Sequence, residues 1–359
     1  MPSAVTRPKL FSSLTPDGLL AFQFSSWYPR FSSHSIKSTI IRPLSKEFHE
    51  YLDSDGVFVP EGSEGLPAES TLSDDSDEGE DDEDEEPRRK FSFPELDARI
   101  MEAVSSYGAV FPKLNFSSPR DAAWMLPASS PLKCVSPADV YLLLKSSDFV
   151  LHDIDTTQLF SGCEPSVDDE ARMPEYNLEL VLRKWYPIDR SRELRCFVRR
   201  EILLGISQRD PNHYEFWSEQ ATQSQVLDAV TKFWEENIKG RWEQTGGDYT
   251  FDFLLTRDLS RGHILDFNPY EPRTDPLLFT YDELLELLAE AIASLDYVPE
   301  LRVIDSRAHP AATRNAPTHQ HNMIPFEALA LSSGRNLEEF TGVWQEQLRR
   351  STVDSDDES

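Results

Sequence analysis

The chain has 359 residues, of which 39% are hydrophobic, so it is long and apolar enough for one large domain or two modest domains with a real core. Its formal net charge is −29, and this acidic balance argues against nucleic acid as the primary partner, because binding a phosphate backbone requires a clustered positive surface. Basic proteins are the more natural partners.

The N-terminal sequence divides into a loose segment and an aromatic one. Residues 1–20 contain prolines and serines, which predict a disordered N-terminus. From residue 21 onward ordered structure is expected, and it begins with a group of aromatic residues that includes Trp27, Tyr28 and Phe31. These rings are either core residues or partner contacts, and we interpret them as part of an exposed protein-binding surface.

An acidic insertion interrupts the early elements. Residues 37–44 predict a strand, and a short helix is predicted from Ser45. From residue 61 to about residue 90 the composition changes to glycine, serine and proline and then to an almost unbroken acidic run, which cannot bury enough apolar surface to fold. We therefore predict a disordered insertion inside the domain. Ser73 and Ser76 precede acidic residues and are candidate phosphorylation sites.

Lys113 is the first candidate for chemistry. A helix predicted over residues 94–107 and a strand over residues 110–113 lead to it. A polar loop containing Asn115 and Ser117 follows, so the ammonium can bind a phosphate and the serine hydroxyl can donate to another oxygen. The alternative is that Lys113 is an ordinary surface charge.

Two elements separate this loop from the next candidate residues. A helix capped by Ser136 is predicted over residues 136–146. A short strand is predicted over residues 147–155, because residues 149–151 are consecutive and apolar.

A strong strand begins at residue 178 and ends in Arg183, Lys184 and Trp185. The indole of Trp185 can lie against a nucleotide base, while the backbone of residues 183–186 offers the donors and acceptors that an adenine edge requires. The alternative for Trp185 is a position in the core.

A hairpin and a helix come next. The hairpin is predicted within residues 192–209, and strand alternation places Glu193, Arg195 and Arg199 on one of its faces. The helix predicted over residues 223–239 is amphipathic, and we assign its apolar face to the core.

An acidic hairpin gives the strongest functional signal. Its strands cover residues 249–255 and 262–269, and their alternation makes Asp252 and Asp266 cross-strand neighbours. Asn268 returns to the same face two residues later. Three oxygen ligands on one face favour a hard cation, naturally Mg²⁺ with a nucleotide phosphate. The alternative is that each aspartate is a solvated or turn residue.

The C-terminal sequence consists of one helix and a tail. A capping box at Thr280 predicts a helix to about residue 295. From residue 305 onward we predict a flexible tail, unstructured at residues 309–312, with one short helix whose apolar stripe docks on a partner or back on the domain. The residues of this stripe are Leu337, Phe340, Trp344 and Leu348.

The cysteines and the hydropathy pattern bear on the compartment. Three cysteines, far apart and without metal-ligand spacing, predict neither a disulfide framework nor a zinc site. The sequence contains no run of about eighteen apolar residues. We therefore expect a cytoplasmic protein that has no membrane contact, and the nucleus is the alternative compartment.

Several motifs together resemble a known family. A lysine strand, an adenine-hinge strand, a Glu-x-Arg hairpin and a paired acidic strand follow one another in the order of the ATP-grasp fold. The longer motifs resemble the cell division cycle protein 123 family, from about residue 22 to residue 295. These motifs are Phe-Ser-Ser-Trp-Tyr-Pro at 24–29, Phe-Pro-Lys-Leu-Asn-Phe-Ser-Ser-Pro-Arg-Asp at 111–121, Leu-Val-Leu-Arg-Lys-Trp at 180–185, Arg-Cys-Phe-Val at 195–198, Gly-Ile-Ser-Gln-Arg-Asp at 205–210 and Asp-Phe-Asn-Pro at 266–269.

The resemblance implies a fold, a ligand and a partner. It implies an α+β ATP-grasp domain over residues 21–304, with two lobes of antiparallel sheet flanked by helices and an ATP–Mg²⁺ cleft between them. It also implies an assembly chaperone that is monomeric before it binds the gamma subunit of eukaryotic translation initiation factor 2. The residues implied to bind ATP are Lys113, Asn115, Ser117, Arg183, Lys184, Trp185, Glu193, Arg195, Arg209, Asp252, Asp266 and Asn268, the last three through magnesium.

Two functions remain open at this point. One is the assembly chaperone, with little or no ATP turnover. The other is an ATP-grasp ligase or kinase that acts on a small acceptor, which needs a base beside the γ-phosphate. No base can be assigned from the sequence, because His213 and His263 lie in predicted turns.

Overall fold

The structure is a computed structural model that describes residues 9–64, 90–127, 129–164, 174–294 and 296–314. The chain divides into two units, Met1–Ser306 and Arg307–Ser359. Both sheets and the candidate site belong to the first unit.

The described chain contains both helices and short strands. The helices are α1 (Pro16–Leu20), α2 (Phe24–Phe31), α3 (Lys46–Asp53), α4 (Pro94–Tyr107), α5 (Pro137–Lys145), α6 (Asp148–Ile154), α7 (Thr156–Leu159), α8 (Gln220–Asn237), α9 (Tyr281–Ala293) and, in the second unit, α10 (Pro310–Arg314). The strands are β1 (Ser38–Ile41), β2 (Val110–Lys113), β3 (Leu180–Lys184), β4 (Glu193–Arg199), β5 (Ile202–Gln208), β6 (Tyr249–Leu255), β7 (Gly262–Pro269) and β8 (Glu300–Arg302).

The smaller sheet has three strands in the order β1-β3-β2, and both pairs are antiparallel. Leu180 and Leu182 of the central strand face a core that also contains residues of α3, α4 and α5. Val181 faces the other way, into the main core, and is the cross-strand partner of Lys113. Because side chains alternate along a strand, Lys113 and Arg183 lie on the face that is turned toward the larger sheet.

The larger sheet has five strands in the order β7-β6-β4-β5-β8. Its first four strands are antiparallel, whereas β8 adds a parallel pair at the edge beside β5. The α+β class with mainly antiparallel sheets is the one predicted, and it is confirmed, with β8 as a short parallel addition. This strand has only three residues, and all are half-buried, so its sequence carries no clear alternation.

A β-bulge in β7 determines which way the acidic residues point. Asp252 pairs with Asp266, as predicted, and the register then shifts at Leu265, which is an extra residue in β7. Ile264 and Phe267 consequently both lie in the main core although they are three residues apart. Asp266 is left on the opposite face, beside Asp252.

The main core contains the N-terminal aromatic residues. Trp27 and Phe31 of α2 are 0% and 1% exposed. The Trp27 ring lies edge-on to Phe24 and Phe267, with centroids at 4.7 and 5.2 Å. Tyr28 is half-buried against the same cluster. The interpretation of Trp27, Tyr28 and Phe31 as an exposed binding surface is therefore wrong, because the apolar face of the larger sheet covers them.

The strand predicted over residues 147–155 is also wrong. These residues form α6, whose first N–H groups, on Asp148 and Phe149, donate to Asp121 Oδ2 at 2.7 and 3.3 Å. The carboxylate satisfies donors that a helix start leaves unpaired. Asp121 is 27 residues away from Asp148 in the chain, so the local apolar pattern does not reveal this cap.

Residues 9–20 are structured, although we predicted a disordered segment. Thr15 caps α1, and Phe11 packs in a small apolar core beneath α9. Arg199 donates to the backbone carbonyl of Lys9 at 2.8 Å. Contacts with distant residues hold this segment, whose own composition does not favour regular structure.

The other predicted elements have mixed outcomes. The capping box at Thr280 and the helix over Pro94–Tyr107 are confirmed. In the second unit, residues 309–312 were expected to be unstructured, but α10 begins there at Pro310. Residues 1–8, most of the acidic insertion and the predicted tail helix lie outside the described residues. Within the described ranges no helix is long and apolar enough to cross a membrane.

Candidate functional site

One ion pair joins the two sheets. Lys113 donates to Asp266 Oδ2 at 2.7 Å, and also to the backbone carbonyl of Phe116. The Lys113 side chain is 1% exposed and that of Asp266 is 20% exposed. Arg183 adds a second connection, because its Nη1 donates to the carbonyl oxygen of Leu265, at the bulge, at 2.6 Å. The lysine strand therefore lies directly against the acidic hairpin.

The other charged residues form one connected cluster on the larger sheet. Arg195 donates from Nε and Nη2 to the two oxygens of Asp252, at 2.8 and 3.0 Å, and from Nη1 to the Asp275 carbonyl at 2.9 Å. Arg209 lies 3.3 Å from Asp252 and 3.1 Å from Glu193. Burial opposes the positive charge of Arg195, but the charge and hydrogen bonds of Asp252 together with the nearby Asp275 and Tyr281 outweigh it, so the pKa of Arg195 is raised.

Glu193 links this cluster to the polar loop after β2. Its carboxylate also pairs with Arg120 Nη2 at 3.4 Å. Burial raises the pKa of Glu193, and the charge of Arg120 offsets part of that rise. Arg120 is not among the site residues predicted from the sequence. Its position in the polar loop that follows Lys113 is the signal that could have identified it.

The three oxygen ligands predicted for magnesium lie on one face of the hairpin, with Asp252 opposite Asp266 and Asn268 two residues further along β7. Both carboxylates are already paired, with Arg195 and Lys113 respectively. In the described part of the chain, no group of three or more His, Cys, Asp or Glu residues is arranged to hold a metal ion alone. The carboxylate and amide oxygens are donors that suit Mg²⁺. Because both carboxylates are paired with basic side chains, the site suits a cation that arrives together with an anion, which can engage Lys113 and Arg195 in their place.

Arg183 supplies evidence that such an anion fits. Its guanidinium is buried beside the Phe24 ring, 5.4 Å from the centroid. Among the described residues, its Nε and Nη2 atoms have no hydrogen-bond partner. Burial lowers the pKa of Arg183 to about 10, and Asp266 offsets part of the decrease. Buried donors without acceptors are costly, so an acceptor-rich group such as a phosphate suits this position.

The predicted adenine hinge is partly engaged already. The N–H groups of Lys184 and Trp185 donate to the carbonyls of Lys37 and Ala109, at 2.8 and 2.9 Å. The Trp185 indole is half-buried and donates to the Pro131 carbonyl at 3.2 Å. The ring is thus neither a core anchor nor fully exposed. The backbone groups that remain to pair with an adenine edge are those that follow the Trp185 N–H in the chain.

Three predicted site residues lie elsewhere or have structural partners. Lys184 is exposed on the face of β3 opposite Arg183. Asn115 is buried, and its Oδ1 accepts from the Glu179 N–H at 2.9 Å. The Ser117 hydroxyl donates to Asp153 at 2.9 Å. The structure therefore brings Lys113, Arg183, Glu193, Arg195, Arg209, Asp252, Asp266 and Asn268 together and leaves these three outside the charged cluster.

Comparisons with known proteins agree with one another. The model of the D123 family matches residues 27–332. The translation initiation factor eIF2 assembly protein of Schizosaccharomyces pombe is 35% identical over 342 residues, which cover 94% of this chain and 98% of that protein. The protein of the same name from Xenopus tropicalis is 42% identical over 279 residues, which cover 74% of this chain and 78% of that protein. The solved structure of Cdc123 from Schizosaccharomyces pombe is 33% identical, covers 82% of this chain and 100% of that chain, and has a TM-score of 0.61.

Proposed function

This chain belongs to the D123 family, in agreement with its resemblance to the cell division cycle protein 123 family, and from that premise we propose that it is an assembly factor for eukaryotic translation initiation factor 2. The extent of similarity carries the proposal, because the relative from Schizosaccharomyces pombe, named for that assembly, aligns with 94% of this chain and 98% of its own length. The direct partner in this proposal is the gamma subunit of the factor. A monomer in the cytoplasm is the form that binds it.

The proposal includes ATP and Mg²⁺ as ligands of the cleft between the two sheets. Lys113 and Arg183 would hold phosphates from the smaller sheet, and Arg195 would do so from the larger one. Asp252 and Asp266, with Asn268, would hold the metal. Two observations support this assignment: buried basic groups converge on paired carboxylates, and two buried donors of Arg183 have no hydrogen-bond partner among the residues that the structure describes. When bound, ATP–Mg²⁺ would supply contacts to both sheets and thereby stabilise the partner-binding form.

Lys113→Met should lower the affinity for ATP–Mg²⁺ by about 10- to 100-fold, because a hydrogen bond to a charged group contributes about 1.5–3 kcal/mol. Titration calorimetry of the full chain measures the change. Lys184→Met is the matched control, since it removes an equal charge from the exposed, opposite face of the neighbouring strand. Equal affinities of the two variants for ATP–Mg²⁺ would rule out the phosphate role of Lys113.

The assembly role and an enzymatic role differ in the number of ATP molecules that each protein molecule converts. Incubating the full chain with ATP–Mg²⁺ and the separate gamma subunit should give a one-to-one complex on a sizing column, with negligible release of phosphate or AMP. Binding to the assembled heterotrimer should be weaker. Multiple turnovers that depend on a small carboxylate, amine or hydroxyl acceptor would overturn the proposal in favour of a ligase or kinase.

A further inference from the structure

Asp153 is a buried carboxylate that the hydrogen-bond network connects to Lys113 through Phe116. We propose that Asp153 is a positioning residue that fixes the Lys113 ammonium through the backbone of residues 116–117. This inference rests on the proposed function, because the role of Lys113 is phosphate binding. In this role Asp153 acts through the backbone and does not itself contact the ligand.

The contacts of Asp153 are directed at one short turn. It is 1% exposed, at the end of α6. Its Oδ2 accepts from the N–H groups of Phe116 and Ser117, both at 2.9 Å, and its Oδ1 accepts from the Ser117 hydroxyl, also at 2.9 Å. Burial raises the pKa of Asp153, and these hydrogen bonds together with the charge of Lys113 offset part of the rise. A buried carboxylate held by three donors has a fixed orientation.

The same turn binds Lys113 from its other side. Phe116 donates its N–H to Asp153 and accepts at its carbonyl from the Lys113 ammonium. The Leu114 N–H donates to the Ser117 carbonyl at 2.9 Å, which closes the turn. The position of the ammonium therefore depends on the orientation of the peptide groups that Asp153 holds. A lysine side chain has many rotamers, so without this acceptor the ammonium keeps only its bond to Asp266 and its position is less closely defined.

A second carboxylate provides a matched comparison. Asp121, near the end of the same loop, also accepts three hydrogen bonds from α6 and its cap, from Ser147 Oγ at 2.6 Å and from the N–H groups of Asp148 and Phe149 at 2.7 and 3.3 Å. It attaches the loop to the helix but contacts neither Phe116 nor Ser117 by these bonds. Replacing Asp121 tests the effect of loosening the attachment of the loop to α6. Replacing Asp153 tests the effect of displacing the Lys113 ammonium.

The experiment compares Asp153→Ala, Asp153→Asn and Asp121→Ala in the full chain. Asp153→Ala should lower ATP–Mg²⁺ affinity about tenfold or more, since a displacement of about 1 Å in a binding group is enough for losses of this size. Affinity for adenosine, which lacks phosphates, should stay within about twofold. Asp153→Asn should restore most of the ATP affinity, because its carbonyl oxygen accepts the two N–H groups and its amide donates to the serine hydroxyl. Asp121→Ala should change ATP affinity by less than about threefold.

A double-mutant cycle identifies the route of the effect. In a Lys113→Met background, Asp153→Ala should cause no further loss of ATP affinity, because the group that it positions is gone. Additive losses, or equal losses for ATP and adenosine, would overturn the inference. If Asp153→Ala does not fold, Asp153→Ser, whose hydroxyl reaches fewer of the donors, replaces it with the same expected pattern.

A nucleotide-free measurement separates this inference from the proposed function. Without ligand, the rate at which an amine-directed reagent labels Lys113, followed by peptide mass spectrometry, should increase in Asp153→Ala and not in Asp121→Ala. If the native protein does not bind ATP, the proposed function fails, while faster labelling still supports positioning. If the native protein binds ATP but Asp153→Ala does not change the labelling rate of Lys113, the positioning role of Asp153 is wrong and the proposed function stands.

Discussion

Replacing Trp27 with alanine should lower the free energy of unfolding by about 3–5 kcal/mol, the usual range for removing a large aromatic side chain from a core. Trp27 is 0% exposed, and its ring contacts Phe24, Tyr28 and Phe267. It therefore joins α2 to β7, the strand that carries Asp266. Urea unfolding followed by circular dichroism measures the change.

Trp124→Ala is the matched control for this prediction. Trp124 is 72% exposed, so its removal should change the free energy of unfolding by no more than about 0.5 kcal/mol. If the two variants were equally stable and Trp27→Ala instead weakened binding of the gamma subunit, the aromatic cluster would be a partner surface after all. The two substitutions thus separate the core role from the surface role that the sequence suggested.

Arg195→Ala should lower the free energy of unfolding by about 3 kcal/mol, at the low end of the range for breaking a buried ion pair. The Arg195 and Asp252 side chains are 9% and 4% exposed, so the substitution leaves a buried carboxylate without its two-pronged partner. Arg209, 3.3 Å from the same carboxylate, compensates in part. ATP–Mg²⁺ affinity should fall as well, because Asp252 loses its orientation.

An exposed ion pair with nearly the same shortest N···O distance is the control. Arg257 lies 2.9 Å from Asp189, but its side chain is 83% exposed. Solvent screens such a pair, so Arg257→Ala should cost between about 0 and 1 kcal/mol. The shortest N···O distance in the buried pair is 2.8 Å, so the two pairs differ in burial and in the second hydrogen bond from Arg195 Nη2 to Asp252. Equal effects of the two substitutions would mean that water screens the Arg195 pair.

The parts of the fold that local patterns specify could be predicted from the sequence. The pairing of Asp252 with Asp266 follows from strand alternation and a short turn, and it is present. The Thr280 capping box is likewise a signal contained in four residues. The α+β class and most of the charged cluster followed from such signals together with the family resemblance.

The parts that distant contacts decide could not be predicted. The carboxylate that accepts from the first N–H groups of α6 belongs to Asp121, far away in the sequence, and the ordering of residues 9–20 depends on Arg199 and on the small core beneath α9. Asn115 and Ser117 have the right chemistry for a ligand, but Glu179 and Asp153 engage them. A polar side chain in a loop does not show whether its partner is protein or ligand.

The ion pair between Lys113 and Asp266 acts as an internal competitor of any ligand at this position. A phosphate that approaches the ammonium meets a carboxylate 2.7 Å away, and a cation that approaches that carboxylate meets the ammonium. If the site binds ATP–Mg²⁺ as proposed, the net affinity is a difference between two ionic interactions, reduced further by the fraction of molecules in which the internal pair is open. An anion and a cation that arrive together would exchange partners with both groups at once. ATP with its metal ion should therefore bind more tightly than either component alone.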